Sequence, residues 1–110
     1  MGAERRKYGH VPFSTELTIV DLSDRRRCRG HSIDLSLGGV GFYAERFFEV
    51  GARIAIVLRL PRRQAQGAAR MEATVRWSRA ETPGAVMGAE FSQVLSPSVQ
   101  PELYETICSR

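Results

Sequence analysis

The strongest constraint on this chain is a hydrophobic period of two. Five stretches alternate apolar and polar residues, the pattern of strands buried on one face. Glu16 to Leu22 alternates around Leu17 and Ile19, and Cys28 to Leu35 through His31, Ile33 and Leu35. From Arg53 to Leu60, Ile54, Ile56, Leu58 and Leu60 share a face while Arg53 and Arg59 share the other. Glu72 to Arg79 sets Ala73, Val75 and Trp77 against Glu72, Thr74 and Arg76. Val86 to Ser92 aligns Met87, Ala89 and Phe91. Between these runs, Asp24 with three following arginines reads as a hairpin tip, Pro61 to Gly67 as a polar loop and Thr82-Pro83-Gly84 as a second hairpin turn. Short strands joined by compact turns predict an all-β barrel or sandwich. Barrel closure also removes exposed strand edges. With 110 residues there is room for one such core.

The period changes near the end. Val99, Leu103 and Ile107 are spaced by four, one apolar stripe of a helix. Ser96 with Pro97, or Ser98 followed by Pro101, can start it, because a proline in the first turn forfeits no intrahelical bond. Such a helix either covers one barrel mouth or docks a partner. The expected organisation is a flexible N-terminal arm over 1–12, a barrel over 13–95 and a helix over 96–110.

Composition excludes several classes. Apolar residues make up 43% and charged residues 25%, ordinary globular values that argue against disorder. No apolar run approaches the roughly 18 residues that span a bilayer. The first ten residues lack the apolar centre of a secretory signal, and Arg6 stands where a myristoylation signal has Ser or Thr. These features predict a soluble, cytoplasmic protein with no membrane insertion. Cys28 and Cys108 match no CxxC spacing and read as small buried or half-buried side chains. With only His10 and His31 besides, no metal site is expected. There is no GxSxG, HExxH or phosphate-binding loop, so neither an enzyme nor a bound cofactor is expected. Sixteen basic against twelve acidic residues give a net charge of +4, modest for a nucleic-acid groove. Phe42 and Tyr43 would suit base stacking, but as strand neighbours they point to opposite faces.

Two places break the strand pattern in a directed way. Arg5-Arg6-Lys7, with His10 following, is either a solvated basic tail or an anion clamp, since arginine holds phosphate in a fork and stacks on bases. Asp34-Leu35-Ser36-Leu37-Gly38-Gly39 sends Asp34 and Ser36 to one outer face. Gly38 and Gly39 then permit a positive-φ turn or a close backbone approach. Taken alone, this is either a glycine turn with a local hydrogen bond or part of a binding surface. Together the two segments suit a guanine nucleotide. A guanidinium takes O6 and N7, a carboxylate such as Asp34 accepts from N1–H and N2–H₂, and a hydroxyl satisfies phosphate.

With these residues in view, the sequence resembles the PilZ family, bacterial receptors for cyclic di-GMP. Asp34-Leu35-Ser36-Leu37-Gly38-Gly39 matches its (D/N)xSxxG motif. Arg6-Lys7-Tyr8-Gly9-His10 half-matches RxxxR, with His10 in place of the second arginine, and Arg5 matches the arginine that often precedes that motif. Val75-Arg76-Trp77 and Met87-Gly88-Ala89-Glu90-Phe91 are similar to the family's late strand pair. The resemblance runs from about residue 4 to about residue 107. It implies a six-stranded antiparallel β-barrel with a C-terminal α-helix, and a nucleotide-binding module rather than an enzyme. It further implies that Arg5, Arg6, His10, Asp34, Ser36, Gly38 and Gly39 form a cyclic di-GMP site. Arg6 would grip phosphate and guanine, Asp34 read a guanine edge, Ser36 bond to the ligand and Gly39 leave room for it.

The resemblance also implies a second-messenger signalling role in which the arm would order over the barrel and pass the signal to an unidentified effector protein, from a monomer or a homodimer. His10 offers one donor and no fixed charge where the family has a five-donor fork, a loss of about 1.5–3 kcal/mol in one contact. If His10 meets phosphate, binding tightens as the imidazole protonates. The alternative is a PilZ-fold adaptor that acts by protein contact without the nucleotide. A second RxxxR, Arg25 to Arg29, falls too close to Asp34 to be the ligand motif and reads as a solvated basic hairpin tip.

Overall fold

The computed structural model describes residues 9–60 and 67–108. Its strands are β1 (Val11–Pro12), β2 (Glu16–Asp21), β3 (Arg27–Leu35), β4 (Gly39–Ala44), β5 (Arg53–Leu60), β6 (Gly67–Glu81) and β7 (Gly84–Phe91), followed by helix α1 (Pro101–Cys108). All pairings are antiparallel and run β3-β2-β5-β6-β7-β4, and β4 pairs back to β3. This closes a six-stranded barrel, as the resemblance implies. The short β1 continues the β2 edge along β3, pairing Val11 with Leu35 and Pro12 with Asp34. Residues 11–12 of the expected arm are therefore part of the sheet.

The period-two stripes account for the core. Leu17 and Ile19 of β2, Ile54, Ile56 and Leu58 of β5, and Met87, Ala89 and Phe91 of β7 are all buried. Burying one such aliphatic side chain contributes about 1.5–3 kcal/mol. Phe42 fills the interior from β4, leaving its neighbours Gly41 and Tyr43 on the outside.

Two stripes depart from strict alternation. In β3, the register shifts between Ser32 and Asp34, a bulge that makes Ile33 the extra residue. Ile33 is 47% exposed while Leu35 is fully buried, and His31 is exposed too, so the expected shared face of His31, Ile33 and Leu35 does not form. In β6, the register shifts between Val75 and Trp77. Ala73 and Val75 face the core, whereas Trp77 turns outward and is only half-buried.

At the β2–β3 tip, the Asp21 carboxylate accepts from the Ser23 backbone N–H at 2.9 Å, the Ser23 hydroxyl at 2.7 Å and Arg46 Nη2 at 2.7 Å. Arg46 also lies over the Phe48 ring, 4.6 Å from its centroid. The Thr82-Pro83 turn joins β6 to β7, as the turn signals predict. Pro61 to Gln66 of the expected polar loop lie outside the described residues.

Helix α1 starts at Pro101, the second of the two starts proposed from sequence. Ser96 instead closes a turn with Val99, its hydroxyl accepting from the backbone N–H of Ser98 and Val99. Leu103 and Ile107 are buried against the barrel core, with Val99 and Tyr104 packed beside them. Cys28 is half-buried, but Cys108, beyond the buried stripe near the end of α1, is exposed.

Candidate functional site

The two bulges act on one transverse row of the sheet. Across β3, β4, β7 and β6 the Cα partners are Asp34, Gly41, Gly88 and Trp77. Without the bulges, alternation from Ser32 and Val75 would turn Asp34 and Trp77 inward; with them both face outward. Bulges commonly re-aim a side chain in this way at functional positions.

The result is a trough on the barrel's outer face, floored by two glycines and walled by a carboxylate and an indole. With adjacent strands about 4.8 Å apart, Asp34 and Trp77 stand roughly 14 Å from each other. Each glycine leaves room for a side chain from the neighbouring strand. A methyl group at Gly41 would stand 2.7 Å from Asp34 Oδ1, and one at Gly88 would overlap Trp77 Nε1. Each wall side chain therefore leans over a glycine. In the next row, Tyr43 pairs with His31 and Val86. At the Trp77 end, Arg76 Nε holds Glu90 Oε1 at 2.7 Å. Such a surface lets a flat ring stack against an indole and donate N–H groups to a carboxylate.

The chain reaches this face by a defined path. Ser32 is buried, its hydroxyl donating to the Phe13 carbonyl and accepting from the Thr15 backbone N–H. The Phe13 backbone N–H donates to the Ile33 carbonyl at 3.1 Å. These bonds hold residues 13–15 against β3, so that the preceding residues pass beside Asp34. His10 Nδ1 lies 3.5 Å from Asp34 Oδ1. The last residue of the first motif and the first residue of the second are thus neighbours. Arg5 and Arg6 lie outside the described residues.

Ser36 is placed differently from the sequence expectation. It is buried instead of lying open beside Asp34, and its hydroxyl accepts from the Gly38 backbone N–H at 3.2 Å and faces the Gly39 carbonyl at 3.4 Å. The Ser36 backbone N–H also donates to the Gly39 carbonyl at 2.9 Å, and the Gly38 carbonyl accepts from Phe91 N–H at 2.8 Å. Ser36 and Gly38 therefore lock the β3–β4 turn and tie it to β7. Neither Gly38 nor Gly39 has a positive φ. Gly39 serves the close approach instead, because a methyl group there would run into the Ala89 carbonyl.

Sequence reasoning missed Ser32, Gly41, Gly88 and Trp77 as site residues. Gly41 and Gly88 stand beside or within the segments that carry the resemblance, but their pairing depends on register between distant strands. Period counting assigns Trp77 to the core face, because a bulge leaves no mark in such a count. Among the described residues, no group of three or more His, Cys, Asp or Glu side chains is placed to hold a metal ion.

Comparison with known proteins gives a consistent family. The PilZ domain family model matches residues 4–105. The PilZ domain of YcgR from Escherichia coli, solved with c-di-GMP, is similar with a TM-score of 0.73 at 22% identity, covering 96% of this chain and 90% of that one. The Bacillus subtilis inhibitor of motility, MotI/DgrA, is similar with a TM-score of 0.70 at 20% identity, over 96% of this chain and 53% of that one. The present chain thus spans about half of the Bacillus protein's length. The PilZ domain of CeSA from a cellulose-synthesizing bacterium matches at a TM-score of 0.57 and 12% identity, over 92% and 96% of the two chains. At these identities the likeness is one of fold. No curated protein matches the chain.

Proposed function

The chain belongs to the PilZ domain family, and from that membership we propose that it binds cyclic di-GMP in the trough between Asp34 and Trp77. The observation that carries the reading is the row Asp34–Gly41–Gly88–Trp77, with His10 at 3.5 Å from Asp34. In this reading Asp34 accepts N1–H and N2–H₂ of one guanine, and a base lies over the glycine floor against the indole. Arg6 grips phosphate and guanine, with Arg5 as a secondary contact. Ser36, Gly38 and Gly39 contribute by fixing the turn that carries Asp34 beside β4. The protein acts as a cytoplasmic receptor and adaptor, not an enzyme. It signals to an effector protein through the surface that arm and ligand make together.

A second reading has one observation in its favour. His10 replaces the motif's second arginine and already lies against Asp34, which suits an adaptor that works by protein contact without nucleotide. Calorimetric titration with cyclic di-GMP decides between the two, with GTP and cyclic di-AMP as controls and Arg6→Ala and Asp34→Ala alongside. Selective micromolar or tighter binding, lost in both variants, supports the receptor. Absence of heat and of thermal shift at saturating nucleotide supports the adaptor.

A further inference from the structure

The arginines among the described residues fall into two groups. Arg46, Arg53, Arg59, Arg70, Arg76 and Arg79 each lie within 4.0 Å of a carboxylate. Arg25, Arg26, Arg27 and Arg29 have no carboxylate that close among the described residues, and all four are exposed. They form the β2–β3 tip and the start of β3, the segment holding the second RxxxR that the nucleotide site does not use.

The tip that presents them is tied by its own hydrogen bonds. Asp21 takes Ser23 and Arg46, and Asp24 Oδ1 accepts from the Arg26 backbone N–H at 2.9 Å. Arg25 is held at φ 66°, a conformation that costs an L-residue free energy and persists only when its surroundings enforce it. Its backbone N–H donates to the Asp21 carbonyl at 2.7 Å.

From the tip the outward-facing side chains continue in a line. Arg27, Arg29 and His31 alternate outward along β3. Beside them runs a groove of about 520 Å³, floored in part by Thr18, Tyr43 and Val57 and edged by Arg59. We propose that this stripe and groove dock an acidic, extended segment of a partner protein. Free guanidinium forks are complementary to carboxylates in a bidentate way. A line of charge beside a groove fits a polypeptide better than a flat bilayer. Glu16 and Glu45 also line the groove and can accept a peptide's backbone N–H groups, while its carboxylates meet the unpaired arginines of the tip and of β3. The proposal adds a partner contact apart from the arm-and-ligand surface of the preceding reading, and it does not require the nucleotide.

The test uses the full chain and a fluorescein-labelled twenty-residue poly-L-glutamate peptide in roughly 0.15 M salt, where loose surface attraction is largely screened. Saturable binding is expected, weakened about tenfold or more by Arg26→Ser/Arg27→Ser and by Arg29→Ser. The charge-matched control Arg70→Ser/Arg79→Ser should retain wild-type affinity. Equal loss in the control would reduce the effect to net charge and overturn the proposal. So would absence of peptide binding, or binding only to phosphatidylglycerol vesicles or to single-stranded oligonucleotide. Cyclic di-GMP titration of the hairpin variants separates the two readings: an unchanged nucleotide affinity leaves the trough intact whatever the peptide does.

Discussion

His10 Nδ1 and Asp34 Oδ1 are 3.5 Å apart, which joins the end of the first motif to the start of the second. The carboxylate proposed to read guanine therefore has a neighbour before any ligand arrives. An imidazole can contact that carboxylate or a phosphate, but not with the paired donors of a guanidinium. His10→Arg should tighten cyclic di-GMP binding by about 10- to 150-fold, the equivalent of 1.5–3 kcal/mol for one charge-assisted contact. Calorimetry on the two proteins at one pH measures this directly. Equal affinities would remove position 10 from the site.

Trp77 is the chain's single tryptophan, and it walls the trough, so its emission reports on occupancy. Cyclic di-GMP should change that emission saturably, whereas GTP should not. Gly41→Val fills the floor: already the first added carbon stands 2.7 Å from Asp34 Oδ1. That atom ends a flexible side chain and can swing away, and valine suits a strand. The variant should keep its thermal midpoint within a few degrees and lose about tenfold or more in affinity, since one wall is displaced into the ligand's space. Retained affinity in a folded Gly41→Val protein would place the nucleotide elsewhere.

The parts of the fold legible in the sequence are those written in periodicity. Ile54 to Leu60 and Met87 to Phe91 need only a count of two to be placed inward, and Leu103 and Ile107 only a count of four. Trp77 escapes that count, and Leu35 parts from His31 and Ile33, for one physical reason: a bulge inserts a single residue and reverses every face beyond it. The same event hides the site. Asp34 can be proposed from its motif, but its partners Gly41, Gly88 and Trp77 are brought into line only by pairing among four strands. Ser36 illustrates the converse. Its motif position draws attention to ligand chemistry, while its hydroxyl is engaged in the local turn that a short polar side chain before glycines commonly makes.

That engagement makes Ser36→Ala a discriminating variant. Removing a buried hydroxyl leaves the Gly38 backbone N–H without its partner, a cost of about 1–3 kcal/mol. For a domain of this size the thermal midpoint should fall by roughly 4 °C or more. Affinity should weaken only as far as the turn loosens, and Ser36→Thr, which keeps the hydroxyl, should recover part of it. A large loss of affinity with an unchanged midpoint would mean that Ser36 contacts the nucleotide itself.

At the other end of β3, Asp21 gives the fold a pH dependence of known sign. The Ser23 hydroxyl and Ser23 backbone N–H, with the Arg46 guanidinium, favour its ionised form and hold its pKa below the ordinary 3.8 against the opposing effect of burial. A carboxyl whose pKa is lower in the folded than in the unfolded chain stabilises the fold above its unfolded value, and that stability is lost as pH falls through the folded one. Asp21→Asn should therefore lower the thermal midpoint at pH 7. As pH falls below about 4 the gap from wild type should shrink, because the native carboxyl then protonates as well. Thermal melts from pH 7 down to the acid limit test this. A gap that stays constant throughout would show that the tip depends on the shape of the side chain and not on its charge.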